Sequence, residues 1–231
     1  RQRNRFLKQW ADKISERALS PKTKPRLTEI LVDVFGFSRG AAEARVFCSW
    51  LLELMTDGKL CGVPAQIRFL GIFDTVASVG VPHSAPLVGG LTDGHLGWAR
   101  PEFLRVSGQV RNCVHYVAMH ENRAAFPLDL LTRPLPAHFT ENAMPGMHSD
   151  VGGGYTPQEQ GRGPDGLNSQ KLSQMPLDYM YRAAEAAGVP LDKSIAAARN
   201  IDPFEVHPAL RTAYDAFLAE QTAGGRPIRE W

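Results

Sequence analysis

Three kinds of side chain, set at separate points of this chain, could together split an ester: a serine on a tight turn, a histidine in a glycine-rich stretch and a carboxylate ending an apolar run. The serine is Ser38, in Gly36-Phe37-Ser38-Arg39-Gly40. A GxSxG pattern alone arises by chance in roughly one chain in ten of this length at average Gly and Ser usage. Its setting adds the information. Ile30 to Phe35 is an apolar run that leads into it, and Ala41 to Met55 follows it with Ala42, Val46, Trp50 and Leu54 on one helical face and Gly58 as a stop. A GxSxG turn between strand and helix is a nucleophile elbow, which lifts the hydroxyl into the open above the positive end of the helix dipole. Side chains at 36 and 40 are expected to collide with neighbouring strand and helix backbone, hence the glycines. In a plain turn, Ser38 would be no more than an N-cap.

A serine hydroxyl needs a general base, normally a histidine oriented by a carboxylate. Of seven histidines, His148 has the most suitable setting: Met144-Pro145-Gly146-Met147-His148-Ser149-Asp150 runs on into Gly152-Gly153-Gly154-Tyr155, a loop able to approach the elbow closely. His83 and His95 sit in a loose Pro/Gly stretch, and His115 falls inside an apolar run as a satisfied core group. For the acid, Asp74 ends the run Ile72-Phe73, where active groups of open α/β sheets gather. Glu121 in Met119-His120-Glu121-Asn122-Arg123 is the alternative triad acid, with Asp150 behind it. Either of the first two gives the order Ser, acid, His, as in α/β-hydrolases and unlike chymotrypsin-like or subtilisin-like proteases.

The elements that must position these groups are legible as runs and stripes. Glu29–Phe35, Gln66–Phe73, Asn112–Met119 and His138–Ala143 read as strands buried on both faces, separated by helices or loops. Leu177–Ala187 and Pro208–Thr222 read as helices, and Pro82–Pro101 and Gly152–Gly166 as long Gly/Pro-rich loops near a site. The alternation predicts an α/β fold with a mostly parallel sheet flanked by helices. Residues 1–26 form a basic segment, nine Lys and Arg against Asp12 and Glu16. Within it Phe6, Trp10, Ile14 and Ala18 make a stripe expected to lie on a core, with anionic lipid or an acidic partner as the sharper alternative for the basic face. Residues 27–231 are expected to form the catalytic domain.

At the level of blocks the chain resembles a known family. Gly36 to Ala41, Phe73-Asp74-Thr75-Val76-Ala77-Ser78-Val79-Gly80, Met119 to Phe126 and Pro145 to Tyr155 are similar, in order, to the blocks of the type VI secretion phospholipase effectors of the first lipase-effector family. The resemblance covers residues 29–185. It implies an α/β-hydrolase-like fold, phospholipase A activity on bacterial membrane lipids, Ser38 as nucleophile, Asp74 as acid and His148 as base. Family members carry an earlier strand ending in a Phe-Asp-Gly-Thr-like turn, and nothing in residues 1–37 resembles it. A βαβ unit needs about 30 residues, so the several strands that normally precede the elbow do not fit there. The chain is therefore expected to be the later part of a larger protein or to lack intervening segments. The Arg39 N–H is the expected oxyanion donor, its usual second partner coming from that early loop.

The remaining composition narrows the function classes. Net charge is +2, too balanced for a dedicated nucleic-acid binder, and 43% hydrophobic with 22% charged residues is ordinary for a globular domain. No run of about 18 apolar residues and no secretory leader is evident, and Cys48, Cys61 and Cys113 have neither metal nor disulfide spacing, so the expectation is reduced thiols in a protein made in the cytoplasm. There is no HExxH, zinc spacing or P-loop, and no cofactor is expected, although Asp150 and Asp165 sit in loops of a kind that can hold calcium. Expected partners are membrane phospholipid, a cognate immunity protein and a secretion spike protein, with the periplasm of a target bacterium as the place of action. The alternatives are a general carboxylesterase and a catalytically weak module that binds a membrane or an immunity protein.

Overall fold

The structure, a computed structural model, describes residues 2–18, 27–77, 101–123, 125–199 and 202–223. The Pro82–Pro101 loop, apart from its last residue, lies outside them, as do His83 and His95. Four parallel strands carry the sheet: β1 (Ile30–Phe37), β4 (Val63–Phe73), β5 (Cys113–Ala118) and β6 (Phe139–Met144), paired in the spatial order β1-β4-β5-β6. A small antiparallel hairpin, β2 (Met55–Thr56) and β3 (Lys59–Leu60), joins the start of β4. The four expected strands are all present, and the hairpin is an addition. Gly58 (φ 70°) and Asp57 (φ 50°) give its turn the left-handed backbone it needs, so Gly58 serves the hairpin and not only the helix end.

Helices cover both faces, as parallel strands require. On one side α2 (Arg39–Leu54) places Ala41, Ala44 and Cys48 against Ile67, Leu70 and Ile72 of β4 and Phe139 of β6. On the other, α5 (Gln174–Ala186) and α7 (Pro208–Ala223) bring Met175, Met180, Ala184 and Tyr214 onto Phe69, Val114 and Tyr116. Each aliphatic side chain sealed this way contributes about 1.5–3 kcal/mol. Burial on both faces holds for β4 and β5. It fails for β1, whose Leu31 and Phe35 are 40% and 44% exposed, because β1 has β4 as its one partner among the described residues. In β6, Thr140 and Asn142 are exposed in alternation with buried Phe139 and Glu141, as an edge strand allows.

A bulge sets the phase of the central strands. Ile30, Leu31 and Val32 pair with Ala65, Gln66 and Ile67, and the register then steps, so that Asp33 to Phe37 pair with Phe69 to Phe73. Arg68 is the unpaired residue. Ile67 consequently faces the α2 layer while Phe69, two residues on, faces the α5 layer, where plain alternation would put them together. Arg68 turns its guanidinium back onto Asp33: Nε donates to Oδ1 at 2.8 Å, Nη2 to Oδ2, and Nη1 to the Gly188 carbonyl at 2.6 Å. The same residue pair makes the bulge and ties it to the strand whose register it changes.

The N-terminal helix α1 (Gln2–Ala18) sits differently from the sequence expectation. Its half-buried face is Leu7, Ala11, Ile14 and Ser15, whereas Phe6 and Trp10 are 54% and 49% exposed, edge to face with each other and with Lys13 over the indole. A stripe read at strict four-residue spacing drifts around a helix of 3.6 residues per turn, which is why Phe6 and Trp10 leave the packed face that Ile14 still touches. Cys61 Sγ donates to the Ala11 carbonyl at 3.1 Å, placing α1 beside the hairpin at the start of β4.

Of the two elbow glycines, only Gly36 meets the collision expected. A Cβ at Gly36 would lie 2.3 Å from the Gly40 carbonyl oxygen and 2.7 Å from Ala41 Cα, while a Cβ at Gly40 would meet no described atom within 4 Å beyond its chain neighbours and its own helix backbone. Gly40 is the second residue of α2 and is half-buried. Gly36→Ala is expected to cost on the order of 3 kcal/mol or more. Gly40→Ala is expected to stay within about 1 kcal/mol of wild type, on the stabilising side. Urea denaturation midpoints measured side by side check both.

Candidate active site

Because Phe37 pairs with Phe73, the next residue of each strand, Ser38 and Asp74, emerges side by side at the C-terminal edge of the sheet. Both have positive φ, 58° and 38°, a region that non-glycine residues enter at a cost of about 1–3 kcal/mol and hold only where hydrogen bonds over-determine it. Those bonds are present. Ser38 N–H donates to the Phe73 carbonyl at 3.0 Å, and the Ser38 carbonyl accepts the N–H groups of Ala41, Ala42 and Val76 at 3.1, 3.3 and 3.2 Å. Asp74 N–H donates to the Tyr116 carbonyl at 2.7 Å. Elbow and acid turn are thus bonded directly to each other.

The histidine arrives from the far side of the sheet. After β6 the chain turns at Gly146 (φ 114°), where a Cβ would fall 2.5 Å from that of Asp150, and enters the short helix α4 (His148–Gly152) at His148. His148 Nδ1 lies 2.6 Å from Asp74 Oδ2 and Nε2 lies 2.8 Å from Ser38 Oγ. Asp74 Oδ1 accepts the Ala118 N–H at 2.8 Å, and both side chains are buried. The imidazole is flanked by Phe37 and Phe126, with ring centroids 4.5 and 4.8 Å away. With Nδ1–H given to the carboxylate, the Nε2 lone pair faces the serine hydroxyl, an arrangement able to take its proton and stabilise the imidazolium that results. Arg39, first residue of α2, supplies one of the N–H groups that a helix start leaves without an intrahelical acceptor.

The other candidate acids are placed elsewhere. Glu121 accepts the main-chain N–H of His148 at 3.2 Å and is gripped by Arg123, so its carboxylate serves the backbone while Asp74 faces the ring. The Arg123 guanidinium, together with main-chain N–H donors, holds its pKa down at about 2. Asp150 is engaged by Arg162 Nε at 2.7 Å and the Met147 N–H at 3.0 Å. Asp165 accepts Gln170 Nε2 at 2.7 Å, and among the described residues no three His, Cys, Asp or Glu side chains gather as a metal site. Phe126, Leu128 and Leu130 line a cavity of about 350 Å³ beside Asp74 and Ala118. Leu131 belongs to the core under α2, and Phe37 packs on His148.

A second histidine–carboxylate pair lies sealed behind the first. His115 Nδ1 is 2.9 Å from Glu141, and its Nε2 accepts the Thr75 N–H at 3.3 Å with Thr75 Oγ1 at 3.1 Å. Glu141 also accepts the Leu131 N–H at 2.7 Å and Arg133 Nη2 at 2.8 Å. Burial pushes the His115 pKa down more strongly than its Glu141 bond lifts it. Burial would raise Glu141, but the His115 bond and the Leu131 N–H bring it below its ordinary value. His115 is therefore neutral, a core group as its strand position implied, and it braces the residue that follows Asp74. Arg45, at 2% exposure, is a further buried polar anchor: it donates to the carbonyls of Leu104, Asp129 and Leu130, while Asp129 receives the Ala77 N–H. The sequence signal for Glu141 was its place two residues after Phe139, on the inward side of an alternating strand. Arg45, inside a run of alanines, offers no such signal.

A neutral His115 refuses a proton that the unfolded chain accepts below about pH 6.5. Its contribution is complete above that value and is lost as pH falls toward its lower native pKa, by up to about 1.4 kcal/mol per pH unit. Thermal unfolding from pH 7 to pH 5 should show this slope, and His115→Gln should flatten it.

A family model described as type VI secretion phospholipase effector Tle1-like, catalytic domain, matches residues 53–183, a span that includes Asp74, Glu121 and His148. Among solved structures, an uncharacterized protein from Pseudomonas aeruginosa is 36% identical with a TM-score of 0.74, covering 97% of this chain and 32% of that one. The Tle1 effector bound to the VgrG spike of the type VI secretion system is 31% identical over 66% of this chain and 31% of that one, with a TM-score of 0.44. The chain thus spans about a third of the length of these two relatives. No curated protein sequence matches it.

Proposed function

Since the chain belongs to the family of type VI secretion phospholipase effectors with a Tle1-like catalytic domain, we propose that it is a serine-dependent phospholipase of A type, cleaving carboxylic esters of membrane phospholipids. The observation that carries the reading is the hydrogen-bonded line from Ser38 Oγ through His148 to Asp74. Ser38 Oγ attacks the ester carbonyl as His148 Nε2 takes its proton, and Asp74 holds the imidazolium through Nδ1–H. The oxyanion faces the Arg39 N–H. His148 returns the proton to the departing lysophospholipid oxygen, leaving an acyl-Ser38. Water, deprotonated by His148, then attacks that ester, and the fatty acid departs as Ser38 recovers its proton.

The same reading supplies the setting. Three free cysteines suit folding in the producing cytoplasm, and delivery through the secretion apparatus would carry the enzyme into a target cell's periplasm. Its partners there and on the way are phospholipid, a spike protein and a cognate immunity protein that spares kin. An inhibitor acting on this geometry would cover the sheet edge where Ser38, Asp74 and His148 meet.

Phospholipid vesicles and soluble p-nitrophenyl esters, assayed in parallel with fluorophosphonate labelling, test the proposal. Wild type should label at Ser38 and release fatty acid from vesicles. Ser38→Ala should abolish both while leaving the unfolding curve unchanged, and Asp74→Asn should lower kcat by about 10⁴. Hydrolysis confined to the soluble esters would make the protein a general carboxylesterase, and failure to label would make it a binding module of hydrolase ancestry. Expressed with a periplasmic signal, wild type should be toxic and Ser38→Ala harmless; equal toxicity from the cytoplasm would overturn the delivery proposal.

A further inference from the structure

The segments that follow β5 and β6 continue to zip together beyond the strands themselves. Met119 N–H donates to the Met144 carbonyl at 3.0 Å, His120 N–H to the Gly146 carbonyl at 3.1 Å, and Gly146 N–H to His120 Nδ1 at 3.0 Å. At the next step a side chain replaces the backbone: the Glu121 carboxylate accepts the His148 N–H at 3.2 Å. The carboxylate is itself fixed. Oε1 takes the Arg123 N–H and Nε–H, both at 2.8 Å, and Oε2 takes Nη2–H at 2.6 Å. The guanidinium so held lies 4.2 Å from the centroid of Phe126, whose ring in turn lies against the His148 imidazole. Two routes therefore run from one ion pair to one residue, the first to the main chain of His148 and the second to its ring.

We infer that Glu121 and Arg123 form a clamp that positions His148, with Glu121 fixing its backbone and Arg123 pressing Phe126 onto the imidazole opposite Phe37. The inference rests on the hydrolase reading of Ser38 and deepens it, assigning the two residues a positioning role. The imidazole must keep Nδ1 on Asp74 and Nε2 on Ser38 at once, a condition met by one ring orientation. A backbone slack by about 1 Å at such a point costs roughly 10² in rate without altering substrate binding. The charge on Glu121 matters because a carboxylate can accept all four of these donors simultaneously, whereas an amide presents two hydrogens of its own in place of one acceptor oxygen.

The purified chain as wild type, Glu121→Gln, Arg123→Lys and Ser38→Ala is assayed with p-nitrophenyl butyrate, and its low-field proton NMR spectrum is recorded. Glu121→Gln should lower kcat about 10²-fold with KM unchanged. Arg123→Lys, which keeps the charge but loses the two-pronged grip, should fall between it and wild type, and it stands in if Glu121→Gln does not fold. Two low-field resonances are expected, from the Nδ1–H of His148 and of His115. The clamp requires the His148 signal to shift or broaden in both variants while the His115 signal stays in place. Wild-type kcat in Glu121→Gln with an unmoved His148 signal overturns the inference, as does loss of both signals together, which marks general loosening. If wild type itself neither hydrolyses the ester nor labels with fluorophosphonate, the hydrolase reading fails, and the two resonances still decide whether the clamp exists.

Discussion

The register between β1 and β4 is the constraint from which the site follows. Side chains of a strand alternate with a period of two, so a slip of one residue would turn Phe37 and Phe73 to the opposite faces and carry Ser38 away from Asp74. The bulge at Arg68 and its grip on Asp33 set that register five residues before the elbow. An ion pair with side chains only 14% and 15% exposed is screened less than a surface pair and has two-pronged geometry, which makes it specific as well as attractive. The meeting of Ser38, Asp74 and His148 at the sheet edge is thus located by a contact that lies outside their hydrogen-bonded line.

The structure holds two positive-φ turns next to each other, and neither would persist alone. Their strain is offset by hydrogen bonds that connect the turns to each other and to β5, then by buried groups further back. His115 and Glu141 secure Thr75, Asp129 secures Ala77, and Arg45 secures the Asp129 segment to α2. Of these groups Arg45, Thr75, His115 and Glu141 are buried, so each is costly to leave without a partner. The two histidine–carboxylate pairs show how surroundings divide labour between like constellations. One ends on a serine at the rim and the other on a threonine within the core, where no substrate can reach.

Much of this was legible in the sequence, and the failures have physical causes. Ser38, Asp74 and His148 could be singled out because glycines and apolar runs mark strand ends, and the sheet brings strand ends together. The four strands were found because parallel sheets read as unbroken apolar runs. The bulge was not, since an extra residue leaves the apolar count of β4 unchanged and alters only its phase. The exposure of Phe6 and Trp10 was misread because a four-residue spacing is close to, but not equal to, the helical repeat. The Glu121 carboxylate meets the main chain of His148 and not its ring, and no spacing rule distinguishes those. Among the described residues the steric demand of the elbow falls on Gly36 and not on Gly40, a distinction the pattern does not carry because it names both glycines without saying which one the chain crosses.

The thiols offer a consequence of a practical kind. Cys48 and Cys113 are buried, and burial pushes both up to about 12, which leaves them inert toward alkylating reagents near neutral pH. Cys61 is partly exposed, and it touches Ala11 of α1 at the end of β4 remote from Asp74, about 33 Å away along the strand. A maleimide dye added to the unmodified protein would therefore settle on one position, without any cysteine replacement. Its fluorescence would report whether the N-terminal helix stays docked, from a vantage point too distant to disturb Ser38.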